Sequence, residues 1–178
     1  ETAIFKKEKP WGIILFKRNI ISINQLIKLT NKIKKIMNDK KFPILIDEEG
    51  GRVSRLSSFL DNSIYNQSYF NCVYKSHKLI GIRLYRAYIN SLSKILFKTG
   101  ININTSPVLD LLNKNTHKVI GNRSYSGDQY LVNELGKLCV DFYKKNKIAT
   151  VVKHIPGHGR AKQDSHFKLP KINTSLKI

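Results

Sequence analysis

The chain has 178 residues, with 32 Lys and Arg set against 12 Asp and Glu for a formal net charge of +20, well outside the range of an ordinary small domain. Its 41% hydrophobic and 10% aromatic content excludes a disordered polycation or a fibre, and the length suits one domain with a real core. The longest apolar run, Trp11 to Phe16, is six residues where a membrane span needs about 20, so no membrane partner is expected. The N-terminus carries no secretory signal pattern.

The first predicted element is a short buried strand over Ile13 to Phe16, closed by the polar Lys17-Arg18-Asn19. A helix follows. Ser22 and Gln25 form a capping-box pair, and Leu26, Leu29, Ile33, Ile36 and Met37 recur at helical spacing with lysines between them. A second strand runs from Phe42 to about Asp47 and breaks into Glu48-Glu49-Gly50-Gly51-Arg52. One helix from about Lys75 to Lys98 is predicted, its stripe formed by Ile80, Leu84, Ala87, Tyr88, Ser91, Leu92 and Ile95, with Gly100 at a left-handed cap. A third strand spans Ile101 to about Leu109 and ends at Asp110. Asp128 caps a further helix striped by Leu131, Leu135, Leu138 and Phe142, and a fourth strand, Ala149 to Lys153, opens into a loop over 154–166. Strand and helix alternate throughout, which is the pattern of a parallel α/β sheet, doubly wound or barrel. No G-x-G-x-x-G follows the first strand, which counts against a dinucleotide fold.

The polar clusters fall just after strands: Asp47 after the second, Asp110 after the third, Lys153 and His154 after the fourth. In a barrel these positions converge on the rim where active sites are built. His154 and His158 are four apart, but Pro156 and Gly157 between them disfavour a helical zinc pair, and no metal or other cofactor is expected. Asp164 and His166, two apart in an extended stretch, project to one side, so the carboxylate can fix the imidazole tautomer and make it a proton-exchanging group. There is no G-x-S-x-G elbow for a serine hydrolase. Cys72 and Cys139 make neither a disulfide framework nor a C-x-x-C pair, so a reducing compartment is the default.

Five segments in order carry a resemblance: Pro10 to Ile20, the Ile46-Asp47-Glu48-Glu49-Gly50-Gly51-Arg52-Val53-Ser54-Arg55-Leu56 run, Ser106 to Asp110, Ile120 to Tyr125, and Lys153-His154-Ile155-Pro156-Gly157-His158-Gly159 with Asp164-Ser165-His166. Together they resemble the bacterial β-N-acetylhexosaminidases of glycoside hydrolase family 3, the NagZ type. The resemblance implies a TIM (β/α)8 barrel of which about the first half is present, strands 2 to 5, with residues 1–178 forming part of the N-terminal catalytic domain. It implies a retaining enzyme that releases terminal β-linked N-acetylglucosamine from cytoplasmic muropeptides in peptidoglycan recycling, or from chitooligosaccharides. His166 would be the general acid/base, oriented by Asp164, and Asp47, Arg55, Arg123, Lys153 and His154 would bind the sugar. The chain departs from the family pattern at Glu48, Asn122 and Ile155, where Gln, Asp and Phe are usual. The family's nucleophilic Asp lies on a later strand, outside these residues, so the isolated chain is expected to be inactive and the complete protein a monomer.

Two alternatives remain beside this: a family 3 glycosidase of other sugar preference, and a non-catalytic basic derivative that binds nucleic acid through clustered lysines. The second is not favoured. Lys, Ile and Asn account for 25, 23 and 16 residues, all types with A- and T-rich codons, so biased usage accounts for the charge without a nucleic-acid partner.

Overall fold

A computed structural model describes residues 2–163 and 167–172. Four strands, β1 (Ile13–Leu15), β2 (Ile44–Ile46), β3 (Ile103–Asn104) and β4 (Ala149–Thr150), form one sheet in that spatial order. Every pairing is parallel. Helices α1 (Thr2–Glu8), α2 (Ile23–Met37), α3 (Gln67–Ser76), α4 (Lys78–Lys98) and α5 (Gln129–Lys145) connect or flank the strands. Four parallel strands in sequence order with helical crossovers are one arc of the predicted TIM-type barrel.

Strand alternation sorts the residues between two faces. Leu15, Ile44, Ile46 and Asn104 point to the helical layer and are all buried. Ile14, Leu45, Ile103 and Ala149 occupy one register row on the other face, the one a closed barrel would enclose, and Ile14 there is 39% exposed. The helices cover the first face with Leu26, Ile33, Ile89, Leu96, Leu135 and Phe142.

Two asparagines strap β2 to β3. Asn102 Oδ1 accepts from the Ile44 N–H at 2.8 Å, while its Nδ2 donates to the carbonyls of Lys41 and Phe42. Asn104 Oδ1 accepts from the Glu48 N–H, and its Nδ2 donates to the Glu48 carbonyl at 2.8 Å and to the Tyr143 hydroxyl at 2.9 Å. These side chains continue the ladder past its ends and fix where β2 delivers the residues that follow it.

The helix starts behave as their caps dictate. Ser22 Oγ accepts from the Gln25 N–H at 3.3 Å, but Gln25 returns its side chain to the Ile21 N–H, one residue outside the expected box. Asp128 caps α5 through the Tyr130 and Leu131 N–H groups. Gly100 has φ +78°, and a Cβ there would sit 2.7 Å from Thr30 Oγ1, so both backbone and space require glycine.

Two expectations need correction. The helix predicted over about Lys75 to Lys98 is α4, and a helix not predicted precedes it: α3, capped by Asn66 accepting from the Tyr69 N–H, ends at the extended His77 before α4 begins. The buried stripe of α4 is Gly81, Tyr85, Ile89, Leu92, Ser93 and Leu96, about one residue round from the predicted one. The cause is α3. Phe70 stacks on Tyr85 with centroids 4.3 Å apart, and Tyr74 backbone crosses so close to Gly81 that no side chain fits there. Ile80, Ala87 and Ser91 consequently lie exposed. In α5, Leu135 and Phe142 are buried as expected, while Leu131 and Leu138 sit at the edge of the core.

The last turns of α1, α2, α4 and α5 carry Lys6 and Lys7, Lys34 and Lys35, Lys98, and Lys144 and Lys145. In a strand-helix alternation these ends lie on the side where strands begin, and cations there complement the helix dipoles.

Replacing Asn104 by Ala would strand the Glu48 backbone groups and the Tyr143 hydroxyl in the core. The expected cost is about 2–3 kcal/mol, read as a lowered urea midpoint at unchanged slope.

Candidate active site

The alternation that buries Glu48 turns its neighbours the other way. Asp47 and Glu49 follow β2 on the open face, Thr105 follows β3 on the same face, and Val151 and Lys153 follow β4 likewise. Thr105 N–H bonds the Ile46 carbonyl at 2.9 Å, and Lys153 is held in register by a parallel bridge to Val108. The result is a cleft of about 630 Å³ at the strand C-termini, lined by these residues with Phe16, Arg55, Arg123, His154 and His158 among others, within the size range of small-molecule sites.

At its floor Asp47 accepts from the Thr105 hydroxyl and from Lys153 Nζ (3.3 Å) on one oxygen, and from Arg55 Nη2 (3.1 Å) on the other. Burial pushes its carboxyl up, but Thr105, Lys153 and Arg55 outweigh that and hold it below the ordinary range. Glu49 makes a two-point bond with Arg123, Nε at 2.8 Å and Nη2 at 2.9 Å, and a second ion pair with Lys153. Burial likewise pushes Glu49 up, and Arg123 and Lys153 reverse the shift. The Glu49 side chain is 1% exposed and that of Asp47 18%. Glu49 is therefore spent on its cations, while Asp47 keeps a face open to a ligand.

Arg55 also lies over the Phe16 ring, 5.6 Å from the centroid. Its main chain is set by Glu48, whose Oε2 accepts from the Arg55 and Leu56 N–H groups and Ser54 Oγ, and whose Oε1 accepts from Asn62 Nδ2. Arg52 Nη2 reaches the carbonyls of Lys118, Val119 and Ile120, tying the post-β2 loop to the turn that presents Arg123. His154 Nδ1 bonds Asp110 at 2.6 Å, and its Nε2 lies 3.5 Å from Arg123 Nη2.

All five expected sugar-binding residues, Asp47, Arg55, Arg123, Lys153 and His154, thus line one cleft. The expected pair Asp164 and His166 lies outside the described residues. Sequence reasoning gave no role to Glu49 or Thr105, and noted Asp110 only as a strand-end carboxylate. The signal for Glu49 and Thr105 was parity, since Thr105 stands two residues beyond the inward-facing Ile103 and Glu49 four beyond the inward-facing Leu45.

The Glycosyl hydrolase family 3 N terminal domain matches residues 1–177. The chain belongs to this family. It is 32% identical over 158 residues to a beta-hexosaminidase of Hydrogenovibrio crunogenus, covering 89% of this chain and 43% of that protein. It is 31% identical to beta-hexosaminidase A of Pseudoalteromonas piscicida, covering 91% and 27%. Among solved structures it matches NagZ of Neisseria gonorrhoeae in complex with N-trifluoroacetyl-D-glucosamine, with a TM-score of 0.85, 31% identity, and coverage of 96% of this chain and 50% of that one. The chain therefore spans half or less of these relatives' length.

Two substitutions separate the roles of the adjacent glutamates. Glu49→Gln removes the charge that compensates Arg123 and Lys153 and is expected to cost about 3–5 kcal/mol, measured by denaturant unfolding. Burial raises the Glu48 carboxyl above its ordinary range, its hydrogen bonds offsetting only part of that. A carboxyl raised in the folded state destabilises the fold as pH rises through the window between its unfolded and folded values. Glu48→Gln, accommodated by a flip of the Asn62 amide, should therefore gain on the native protein as pH climbs from about 4 towards neutrality, in paired thermal melts. A gap that narrows over that climb would contradict the reading.

Proposed function

We propose that the protein is a β-N-acetylhexosaminidase that releases terminal β-linked N-acetylglucosamine with retention. The observation that carries this is Asp47: a carboxylate at the floor of a strand-end cleft, ringed by Arg55, Lys153 and Thr105, with an open face for sugar hydroxyls. A carboxylate accepts from hydroxyls while the cations donate to them, the mixed polar set that a sugar ring needs. The relatives named beta-hexosaminidase and a structural neighbour binding an N-acetylglucosamine analogue support the sugar assigned.

In the mechanism, His166 protonates the glycosidic oxygen as the bond to the anomeric carbon breaks. A carboxylate attacks that carbon from the other face, and water, deprotonated by His166, later releases the sugar. Asp164 orients His166 throughout. The family resemblance implies a nucleophilic Asp on a later strand, outside these 178 residues, and Asp47 and Asp110 match other positions of the family pattern. The natural substrates proposed are muropeptide fragments or chitooligosaccharides, met in the cytoplasm during peptidoglycan recycling. Two unpaired thiols, Cys72 and Cys139, accord with a reducing compartment.

The test is an assay of the protein, as its host expresses it, on para-nitrophenyl glycosides. Turnover of the N-acetyl-β-glucosaminide is expected, falling about 10²–10⁴-fold in His166→Ala. Preference for a glycoside without the acetamido group, or full activity in that variant, would sink the reading.

A further inference from the structure

We infer that Asp110 is a positioning residue of this site: it decides which nitrogen of His154 carries the proton, and with its other oxygen ties down the loop that runs on toward Asp164 and His166. The consequence for catalysis rests on the proposed glycosidase activity. The geometry stands without it.

Asp110 is buried, and among the described residues its only ion-pair partner is His154. Oδ2 meets His154 Nδ1 at 2.6 Å, and Oδ1 accepts from the Gly159 N–H at 3.0 Å. Burial pushes this carboxyl up, but the bonds to His154 and Gly159 overcome the penalty and hold it below the ordinary carboxylate range, so it is an acceptor only. Nδ1 must then donate. On the far side of the ring, Nε2 faces Arg123 Nη2 at 3.5 Å, and a guanidinium can only donate. The short bond to Asp110 therefore sets the tautomer, with the proton on Nδ1 and a lone pair on Nε2, and the long contact with Arg123 is compatible with it. His154 lines the cleft, and at 3.5 Å Arg123 holds that lone pair only weakly, so a sugar hydroxyl can compete for it with His154 as the acceptor.

The second tie is as definite. Gly159 is buried, its carbonyl accepts from Asn113 Nδ2 at 2.8 Å and Thr116 Oγ1 at 2.6 Å, and a Cβ on it would collide with the Leu111 carbonyl. One carboxylate thus holds two points five residues apart in the post-β4 loop against the loop that follows β3. Sequence places Asp164 and His166 just beyond, so the path of the chain into the acid/base pair starts from this clamp.

Long-range proton–nitrogen NMR of the ¹⁵N-histidine-labelled protein, at mildly alkaline pH where imidazole is ordinarily neutral, reads the tautomer directly, with His154→Gln identifying the signal. The native protein is expected to show the proton on Nδ1; a proton on Nε2 overturns the assignment without any need of an Asp110 variant. In Asp110→Asn, whose amide oxygen can still serve Gly159 while its NH2 cannot accept from Nδ1, the proton should move to Nε2. kcat/KM on the N-acetylglucosaminide should drop by up to about 100-fold. An unmoved proton, or full turnover despite a moved one, also overturns it. A protein inert toward N-acetylglucosaminides that nonetheless shows the tautomer switch supports Asp110 in this role and overturns the proposed function instead.

Discussion

Two carboxylates, Asp47 and Glu49, stand two residues apart at the end of β2 and hold Arg55, Arg123 and Lys153 between them. Each cation comes from a different stretch of chain. Arg55 belongs to the loop after β2, Arg123 to the long connection after β3, and Lys153 to the segment after β4. Half-buried cations in a cleft repel one another, and only the acidic pair permits them to share it. The sheet makes this possible, since parallel register places the residues after β2, β3 and β4 side by side at one edge. Remove the pairing of charges and the three loops lose the reason to converge.

Within that arrangement the labour is divided by burial. Glu49 is sealed against Arg123 and sets geometry, and Glu48, on the opposite face, organises the Ser54 to Leu56 turn from behind. Asp47 alone of the three remains open. The run of acidic residues Asp47-Glu48-Glu49 thus has three functions, assigned by nothing more than alternate sides of a strand and distance from its end.

The fold class was legible in the sequence because the chain alternates apolar strand runs with capped, periodic helices; Asp47, Lys153 and His154 stood out as polar residues at strand ends, whereas Arg55 and Arg123 were indicated only by the family resemblance. Other features were not, for physical reasons. The break at His77 has no proline or glycine to announce it; it exists because α3 must turn to stack Phe70 on Tyr85. The α4 stripe was misplaced because that helix is apolar on more than one side, and only the crossing of Tyr74 over Gly81 decides which side faces inward. Strand ends were overestimated at β3 and β4; on the β2 side of β3 the Asn102 and Asn104 side chains supply bonds beyond the regular ladder. Glu49 escaped notice because a carboxylate next to two glycines reads as loop until the cations arrive from 74 and 104 residues further on.

The lysines at the helix C-termini bear on how molecules reach the site. The cleft opens where the strands end, and Lys6, Lys7, Lys34, Lys35, Lys98, Lys144 and Lys145 crowd the opposite pole. Within the cleft Arg55, Arg123 and Lys153 share the two carboxylates Asp47 and Glu49. The +20 formal charge is nonetheless not confined to that pole, because Lys17, Arg18, Lys114, Lys118, Arg160 and Lys162 lie in the segments that follow the strands. At physiological ionic strength fields fade over about 8 Å, so the lysines of the far pole are not felt at the mouth of the cleft, and what an entering ligand meets there is set by the loops that follow the strands.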